Sequence, residues 1–303
     1  MMDVATTTRA CSLDLEKKPI PILKTMRRLR DAGFRVLDWY APGCELLGDA
    51  TRANQLDAWK RWAGEAREQA ERLGLSFRQM HALDQDLTKG RDQVDHVEAM
   101  SEMSFHAAQI LGVRCAAIHP LISKPGRRDR ASCLKDNTAY FRRKSELAGR
   151  FGITLALENM LTKRYFDGRM EWRFCTCLED HVELVQSIDC ENVRYCFDVG
   201  HANYTNTDVR SAIAAMKDDL VAIHVHDNDG FSDQHLIPFQ GTIDFELFTR
   251  TLAGDYRGDM TMEVLKGANG MPTTVADLAL KTVYESARYL AGRVWHHKHK
   301  REE

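Results

Sequence analysis

Nowhere in the 303 residues do eighteen apolar residues run together, and the amino-terminal residues lack a basic segment followed by an apolar stretch. A membrane span needs about twenty apolar residues and a secretory leader needs that basic-then-apolar order, so a soluble, cytoplasmic chain with no membrane contact is expected. Positive charge is not in excess either: 42 Lys plus Arg stand against 44 Asp plus Glu, for a formal charge of −2 and a pI near 6.6. That excludes a global basic field for a polyanion but leaves room for a local basic groove. Eight cysteines are present, at Cys11, Cys44, Cys115, Cys133, Cys175, Cys177, Cys190 and Cys196, without zinc-finger spacing. Cys175 and Cys177 are separated by one residue and no second pair answers them, so buried free thiols are expected rather than disulfides or a thiolate zinc site.

No low-complexity linker or internal repeat divides the chain. Apolar strand-like runs alternate with amphipathic helical segments about eight times, the order of a wound parallel α/β fold. The runs lie near residues 5–12, 34–39, 75–81, 113–119, 153–158, 193–198, 219–226 and 259–264. Helices between them begin near 19, 51, 92, 131, 179, 206, 244 and 274. Trp59, Trp62, Ala66 and Ala70 form a core stripe on the second of these, and Asp244 is placed to cap the seventh. The pattern predicts one α/β barrel domain over residues 1–303, with a frayed His- and Lys-rich tail from about 294 to 303. Long loops follow strands four and seven, at Leu121–Arg130 and Asp227–Thr242.

Five of the apolar runs end on a metal-ligand side chain: Ala117-Ile118-His119, Leu155-Ala156-Leu157-Glu158, Cys196-Phe197-Asp198, Ala222-Ile223-His224 and Met260-Thr261-Met262-Glu263. Parallel barrel strands are apolar along their length while barrel chemistry sits at their carboxyl ends, so polar residues there read as one shared site. His81 ends the third strand in the same way. Asp198 and His201 are three apart with Gly200 between them, which predicts a tight turn aiming both at one point. His224 and His226 share a strand face, so both can reach the site, or His226 can support a ligand from behind. Asp233-Gln234-His235 repeats an acid and an imidazole in the following loop. Each of these alone is more often structural, but their joint occurrence at successive strand ends reverses that weighting. A mixed imidazole and carboxylate set suits Mn²⁺, Zn²⁺, Co²⁺ or Fe²⁺ better than Ca²⁺, with Mg²⁺ behind them.

The stretch from Leu157-Glu158-Asn159 through Phe197-Asp198-Val199-Gly200-His201 and His224-Val225-His226-Asp227 to Gly241-Thr242-Ile243-Asp244 and Glu263 resembles the xylose-isomerase-like TIM-barrel superfamily. That superfamily holds the sugar phosphate isomerases and epimerases, inosose dehydratases and the apurinic endonuclease IV group. The resemblance implies a (β/α)8 TIM barrel. In its epimerase branch, Glu158, Asp198, His224 and Glu263 would bind one divalent metal, usually manganese, cobalt or magnesium. Glu158 and Glu263 would also act as acid and base, and His201 would contact a substrate oxygen. In its endonuclease branch, His81, His119, Glu158, Asp198, His201, His224, Asp233, His235 and Glu263 all match a nine-residue set that holds three zinc ions. The stretch Ala82-Leu83-Asp84-Gln85-Asp86 departs from that branch, being acidic and without its duplex-opening aromatic, and two further acids there would repel phosphates.

The resulting expectation is a metal-dependent isomerase or epimerase of a small sugar, keto-sugar or inositol derivative. It would work by proton abstraction next to a carbonyl polarised by the metal, through an enediolate. Mn²⁺ is placed ahead of Co²⁺, Mg²⁺ and Zn²⁺. Glu158 and Glu263 are the catalytic pair, and His81, His119, His201, His226, Asp233 and His235 are the substrate-binding candidates. Trp39, Phe231 and Phe239 could supply an apolar wall. A β-eliminating lyase, with Asp233 or His235 as leaving-group acid, fits the same residues. A zinc-dependent apurinic endonuclease is the alternative from another class, with Lys124, Arg127, Arg128 and Arg130 contributing to a basic crescent. The expected partner is a small polyol or sugar. Nucleic acid is disfavoured, and a homo-oligomer is compatible with the sequence.

Overall fold

The computed structural model describes residues 2–41, 55–87, 90–122, 129–162, 165, 167–254 and 256–300. Eight parallel strands lie side by side: β1 (Val4–Thr7), β2 (Val36–Tyr40), β3 (Ser76–His81), β4 (Cys115–Ile118), β5 (Thr154–Glu158), β6 (Val193–Asp198), β7 (Leu220–His224) and β8 (Met260–Met262). Their hydrogen-bonded order is β7-β6-β5-β4-β3-β2-β1-β8. Just past β7, Val225 pairs with Met262, its N–H donating to Thr261 O at 2.9 Å while Glu263 N–H donates back to Val225 O at 3.0 Å. These bonds bring the two edges together, and the molecule is a TIM barrel in one domain.

Nine α-helices are found among the described residues: α1 (Ile22–Ala32), α2 (Gln55–Leu73), α3 (Arg91–Leu111), α4 (Arg130–Arg150), α5 (Leu178–Ile188), α6 (Val199–Thr205), α7 (Val209–Met216), α8 (Phe245–Leu252) and α9 (Thr273–Lys300). Side-chain caps start several of them. Asp129, Asp208 and Asp244 accept from the N–H groups of Ser132, Ser211 and Leu247, each satisfying a donor left over in the first turn. Gly33 ends α1 at φ +123°, and a Cβ there would sit 2.4 Å from the Tyr284 ring of α9, so only glycine closes that helix pair.

Three elements differ from the sequence reading. The first strand ends at Thr7, because the Thr7 hydroxyl accepts from Arg9 N–H and turns residues Thr8–Cys11 into a 3-10 helix. The helix expected near 206 is two helices, since Asp198 caps α6 immediately at the end of β6. The tail is not frayed through Lys300. It continues α9, with Val294 buried and both Arg293 and His297 paired with Glu246 of α8, at 2.8 and 3.1 Å. Residues 51–54, expected to open the second helix, lie outside the described residues.

Alternation along the strands decides what faces the bore. The residues two before His119, Glu158, Asp198 and His224 point the same way and are Ala117, Ala156, Cys196 and Ala222, all small and fully buried. Large side chains, including Trp39, Phe105, Phe141, Phe197 and Phe248, are buried in the main apolar cluster instead. The bore is thus filled by small groups beneath the polar strand ends. Seven cysteines are free thiols; Cys11, Cys133, Cys175 and Cys196 are buried as expected, Cys115 and Cys190 are half-buried, Cys177 is exposed, and Cys44 lies outside the described residues.

Candidate metal centre

The sequence-predicted acid and imidazole residues arrive at one mouth of the barrel. Glu158 ends β5, Asp198 ends β6, His224 ends β7 and His81 ends β3, while His119 and Glu263 directly follow β4 and β8. Three groups made only of imidazole and carboxylate ligand atoms result among the described residues, each with all its atoms within 4.8 Å of one another. They are Glu158 with Asp198, His224 and Glu263; Glu158 with His81 and His119; and His201 with His226, Asp233 and His235.

Glu158 is the hub. It is fully buried, with His224 Nδ1 at 3.1 Å, His201 Nδ1 at 3.5 Å, and the Nε2 atoms of His81 and His119 each at 3.6 Å. Neither of its oxygens makes a hydrogen bond, nor do Asp198 Oδ2, His224 Nδ1, His226 Nε2 or Asp233 Oδ1. Buried polar atoms are normally satisfied, so a set of unsatisfied ligand atoms close together fits a bound cation.

The opposite sides of the rings support this fit. His81, His201 and His235 direct Nδ1 at the carbonyls of Ala82, Asn159 and Glu263, at 3.0, 2.9 and 2.7 Å, and His119 directs Nδ1 at Asp84, at 2.9 Å. A carbonyl or carboxylate oxygen only accepts, so Nδ1 carries the proton in all four; that leaves the Nε2 lone pair of His81, His119 and His201 for the site, whereas His235 Nε2 faces Asp233 Oδ2 at 3.0 Å. His224 is turned the other way, with Nε2 2.8 Å from the Gln79 amide and Nδ1 inward.

Charge follows from burial. Burial works to raise the Glu158 carboxyl, but His224 and His119 beside it hold it well below its ordinary value. Burial likewise opposes charge on His224 and His119, yet Glu158 with Glu263, and Asp84 with Glu158, push those rings well above theirs. His226 is raised to about 9 against its burial, chiefly by Asp198. The buried carboxylates thus demand positive charge, which protonated imidazoles or a divalent cation can supply. Cys196 also lies near Glu158 and His224, but burial holds its thiol well above the usual range, so it reads as bore packing and not as a thiolate ligand.

Several supporting residues escaped the sequence reading. Asn159 clamps β5 to β6, its Oδ1 accepting from Asp198 N–H at 2.8 Å and its Nδ2 donating to Asp198 O at 3.0 Å. Asp84, in the sequence reading only an acid that would repel a phosphate, orients His119 through the ring and the backbone N–H. Asp38 in β2 is fully buried with both oxygens unbonded, and burial raises its carboxyl to about 6. Its only sequence signal is an acid inside the run Val36-Leu37-Asp38-Trp39-Tyr40. Gly200 does not make a tight turn. Asp198 and His201 meet because Asp198 accepts from His201 N–H at 2.7 Å as the cap of α6, and Gly200 is needed for clearance, since a Cβ there would lie 2.0 Å from the His226 ring.

A cavity of about 750 Å³ opens beside the centre and includes Asp233, His235, Trp39 and Tyr40 in its wall. Phe231 and Phe239 do not line it. Phe231 is 68% exposed, and Phe239 packs against Phe245 and Tyr289. In the strand-four loop, Arg130 is engaged by Asp180 and Glu183, while Lys124, Arg127 and Arg128 lie outside the described residues.

Comparison with known proteins agrees with this fold. An uncharacterized protein of Methanocaldococcus jannaschii is 31% identical over 121 residues, 39% of each chain, so the chain spans about two fifths of the length of that curated relative. A crystal structure of a D-tagatose 3-epimerase-like protein shares the architecture at a TM-score of 0.69 and 20% identity, covering 97% of this chain and 100% of that one. A crystal structure of IolI protein with a bound zinc atom gives 0.71 at 15% identity, covering 95% and 98%. Epimerases of D-psicose, L-ribulose and a 3-keto-D-glucoside are similar at TM-scores of 0.68 to 0.70. The family model described as a xylose isomerase-like TIM barrel matches residues 26–283, and the chain belongs to that family.

Proposed function

We propose that the protein is a metal-dependent isomerase or epimerase of a small polyhydroxylated carbonyl compound. The observation that carries this reading is the group Glu158, Asp198, His224 and Glu263, whose ligand atoms lie within 4.8 Å of one another with both Glu158 oxygens buried and unbonded. Mixed carboxylate and imidazole ligands suit Mn²⁺, Co²⁺ or Zn²⁺, and a divalent ion held there would polarise a substrate carbonyl and offset the charge of an enediolate. Glu158 and Glu263 flank His224 Nδ1 at 3.1 and 3.5 Å, which places two carboxylates around one point. One, as carboxylate, removes the proton next to the carbonyl, and the other, protonated from solvent, donates its own proton to the opposite face or the neighbouring carbon. His201 and His226 hold substrate hydroxyls. Similarity of fold to sugar epimerases supports the substrate class.

Two other outcomes of the same residues are kept in view by particular observations. The Asp233–His235 pair, 3.0 Å apart in the cavity wall, is placed to protonate a leaving group, which favours a β-elimination after the same proton removal. The other two ligand groups, one of them sharing Glu158, favour a multinuclear zinc phosphodiesterase. Against it stands the engagement of Arg130 by two acids.

The test is solvent exchange. Mn²⁺-loaded protein incubated in D₂O with ketoses, 3-keto-glycosides and inososes should place deuterium at the carbon beside the carbonyl, read by NMR, and Glu158→Gln and Glu263→Gln should abolish it. Absence of exchange in every compound, together with cleavage of abasic DNA, would overturn the proposal.

A further inference from the structure

The cavity beside the centre holds two cations that the proposed chemistry does not use. Arg9 and Lys266 both line it, both are exposed, and neither lies within 4 Å of an acid among the described residues. Arg9 is nevertheless held in place. Its guanidinium stacks 4.6 Å over the Tyr40 ring and donates to the Tyr40 hydroxyl at 3.0 Å, and Tyr40 N–H in turn donates to the Thr8 hydroxyl at 3.0 Å. Tyr40 also tilts against His81, with ring centroids 5.5 Å apart, so a single aromatic ring separates the guanidinium from the ligand cluster.

One side-chain amide ties together the segments that carry the two cations. Asn269 Nδ2 donates to Arg9 O at 2.8 Å and to Leu265 O, next to Lys266, at 2.7 Å, while its Oδ1 accepts from Leu13 N–H at 2.9 Å. The wall is preorganised, with Arg9 retaining most of its five N–H donors for a ligand. A neutral polyol needs no such pair, whereas a carboxylate or phosphate group binds a guanidinium through two parallel hydrogen bonds and gains further from a nearby ammonium. Trp62 and Trp39 supply the apolar part of the same cavity, suited to the carbon face of a sugar.

We propose that the substrate is an acidic sugar, a polyhydroxylated carbonyl compound ending in a carboxylate or phosphate, and that Arg9 and Lys266 hold that end while the carbonyl end faces Glu158 and Glu263. This rests on the sugar reading given above.

The test is equilibrium binding to Mn²⁺-loaded protein by calorimetry, which needs no turnover. The probes are D-gluconate, D-glucitol 6-phosphate, neutral D-glucitol and inorganic phosphate, against wild type, Arg9→Gln, Arg9→Lys and Lys266→Gln. At least one acidic polyol is expected to bind about tenfold or more tightly than glucitol, and to lose about tenfold in Arg9→Gln and in Lys266→Gln, with partial recovery in Arg9→Lys. Glucitol binding is expected to stay unchanged, and the preferred acid identifies carboxylate or phosphate as the end group. Glucitol binding as tightly as both acids, acid binding unaffected by both Gln variants, or inorganic phosphate binding as tightly as the preferred polyol would each overturn the proposal while leaving the sugar reading in place. Binding of none of the three polyols would overturn both.

Discussion

Single residues at this site are constrained more by what surrounds them than by their own chemistry. Gly200 shows it. An alanine in a helix normally stabilises relative to glycine, but here the added carbon would press on His226 at 2.0 Å. Gly200→Ala is therefore expected to destabilise by about 1–3 kcal/mol, as overpacked cores do, whereas Gly64→Ala in α2, with nothing within 4 Å, should stabilise by about 0.5–1 kcal/mol. Thermal denaturation of both variants checks the contrast. His181, which contacts β5 one residue before the hub Glu158, carries a pH effect of its own. It is buried, bonds Leu157 O at 2.9 Å through Nε2, and burial pushes it down to about 4. An unfolded histidine titrates near 6.5, so between about pH 6.5 and 4 the unfolded chain takes up a proton that the fold refuses. Stability then falls as pH falls through that window, by roughly 3 kcal/mol from this group. His181→Gln should remove that portion of the acid lability, measured as the difference in denaturation midpoint between the two proteins at pH 7 and pH 4.5. An equal loss in both would contradict it.

Elements differ in how plainly the sequence announces them. Strand ends were legible because an apolar run closing on Glu158 or His224 combines two strong signals, burial and an isolated charge. What was not legible is how neighbouring elements clamp each other. Nothing local distinguishes Asn159 as the brace between β5 and β6, or Gly200 as clearance for a ring 26 residues later in sequence. Asp38 was hidden by its apolar neighbours, and the tail looked solvated because its histidines are also its tether, through His297 to Glu246. The β7–α8 loop illustrates the clamping most clearly. The buried Asp227 carboxylate accepts from the N–H groups of Asn228, Gly241 and Ile243, at 2.9, 2.8 and 3.3 Å, and so closes the loop that carries Asp233 and His235. Asp227→Ala leaves those donors unpaired and is expected to cost about 2–4 kcal/mol. It should also loosen the Asp233–His235 pair while metal stays bound at Glu158, a split that denaturation and metal analysis of one variant resolve.

On the scale of the whole molecule, the barrel brings six separate strand ends, those of β3 to β8, to one centre, and a cation bound at Glu158, Asp198, His224 and Glu263 would tie β5, β6, β7 and β8 together. Binding to the folded state alone stabilises it by mass action, about 2.7 kcal/mol at a hundredfold excess over Kd. Mn²⁺ should raise the Tm of chelator-treated wild type in a concentration-dependent way and leave that of Glu158→Gln unmoved. Three imidazole and carboxylate groups meet at that mouth, so the number of ions bound there separates the mononuclear reading from the trinuclear one. Elemental analysis of purified wild type, Glu158→Gln and Asp233→Asn decides it most directly. One divalent ion per chain, lost in Glu158→Gln and kept in Asp233→Asn, is the predicted result. Close to three zinc ions per chain, reduced in Asp233→Asn, would contradict the mononuclear sugar enzyme and favour phosphodiester hydrolysis.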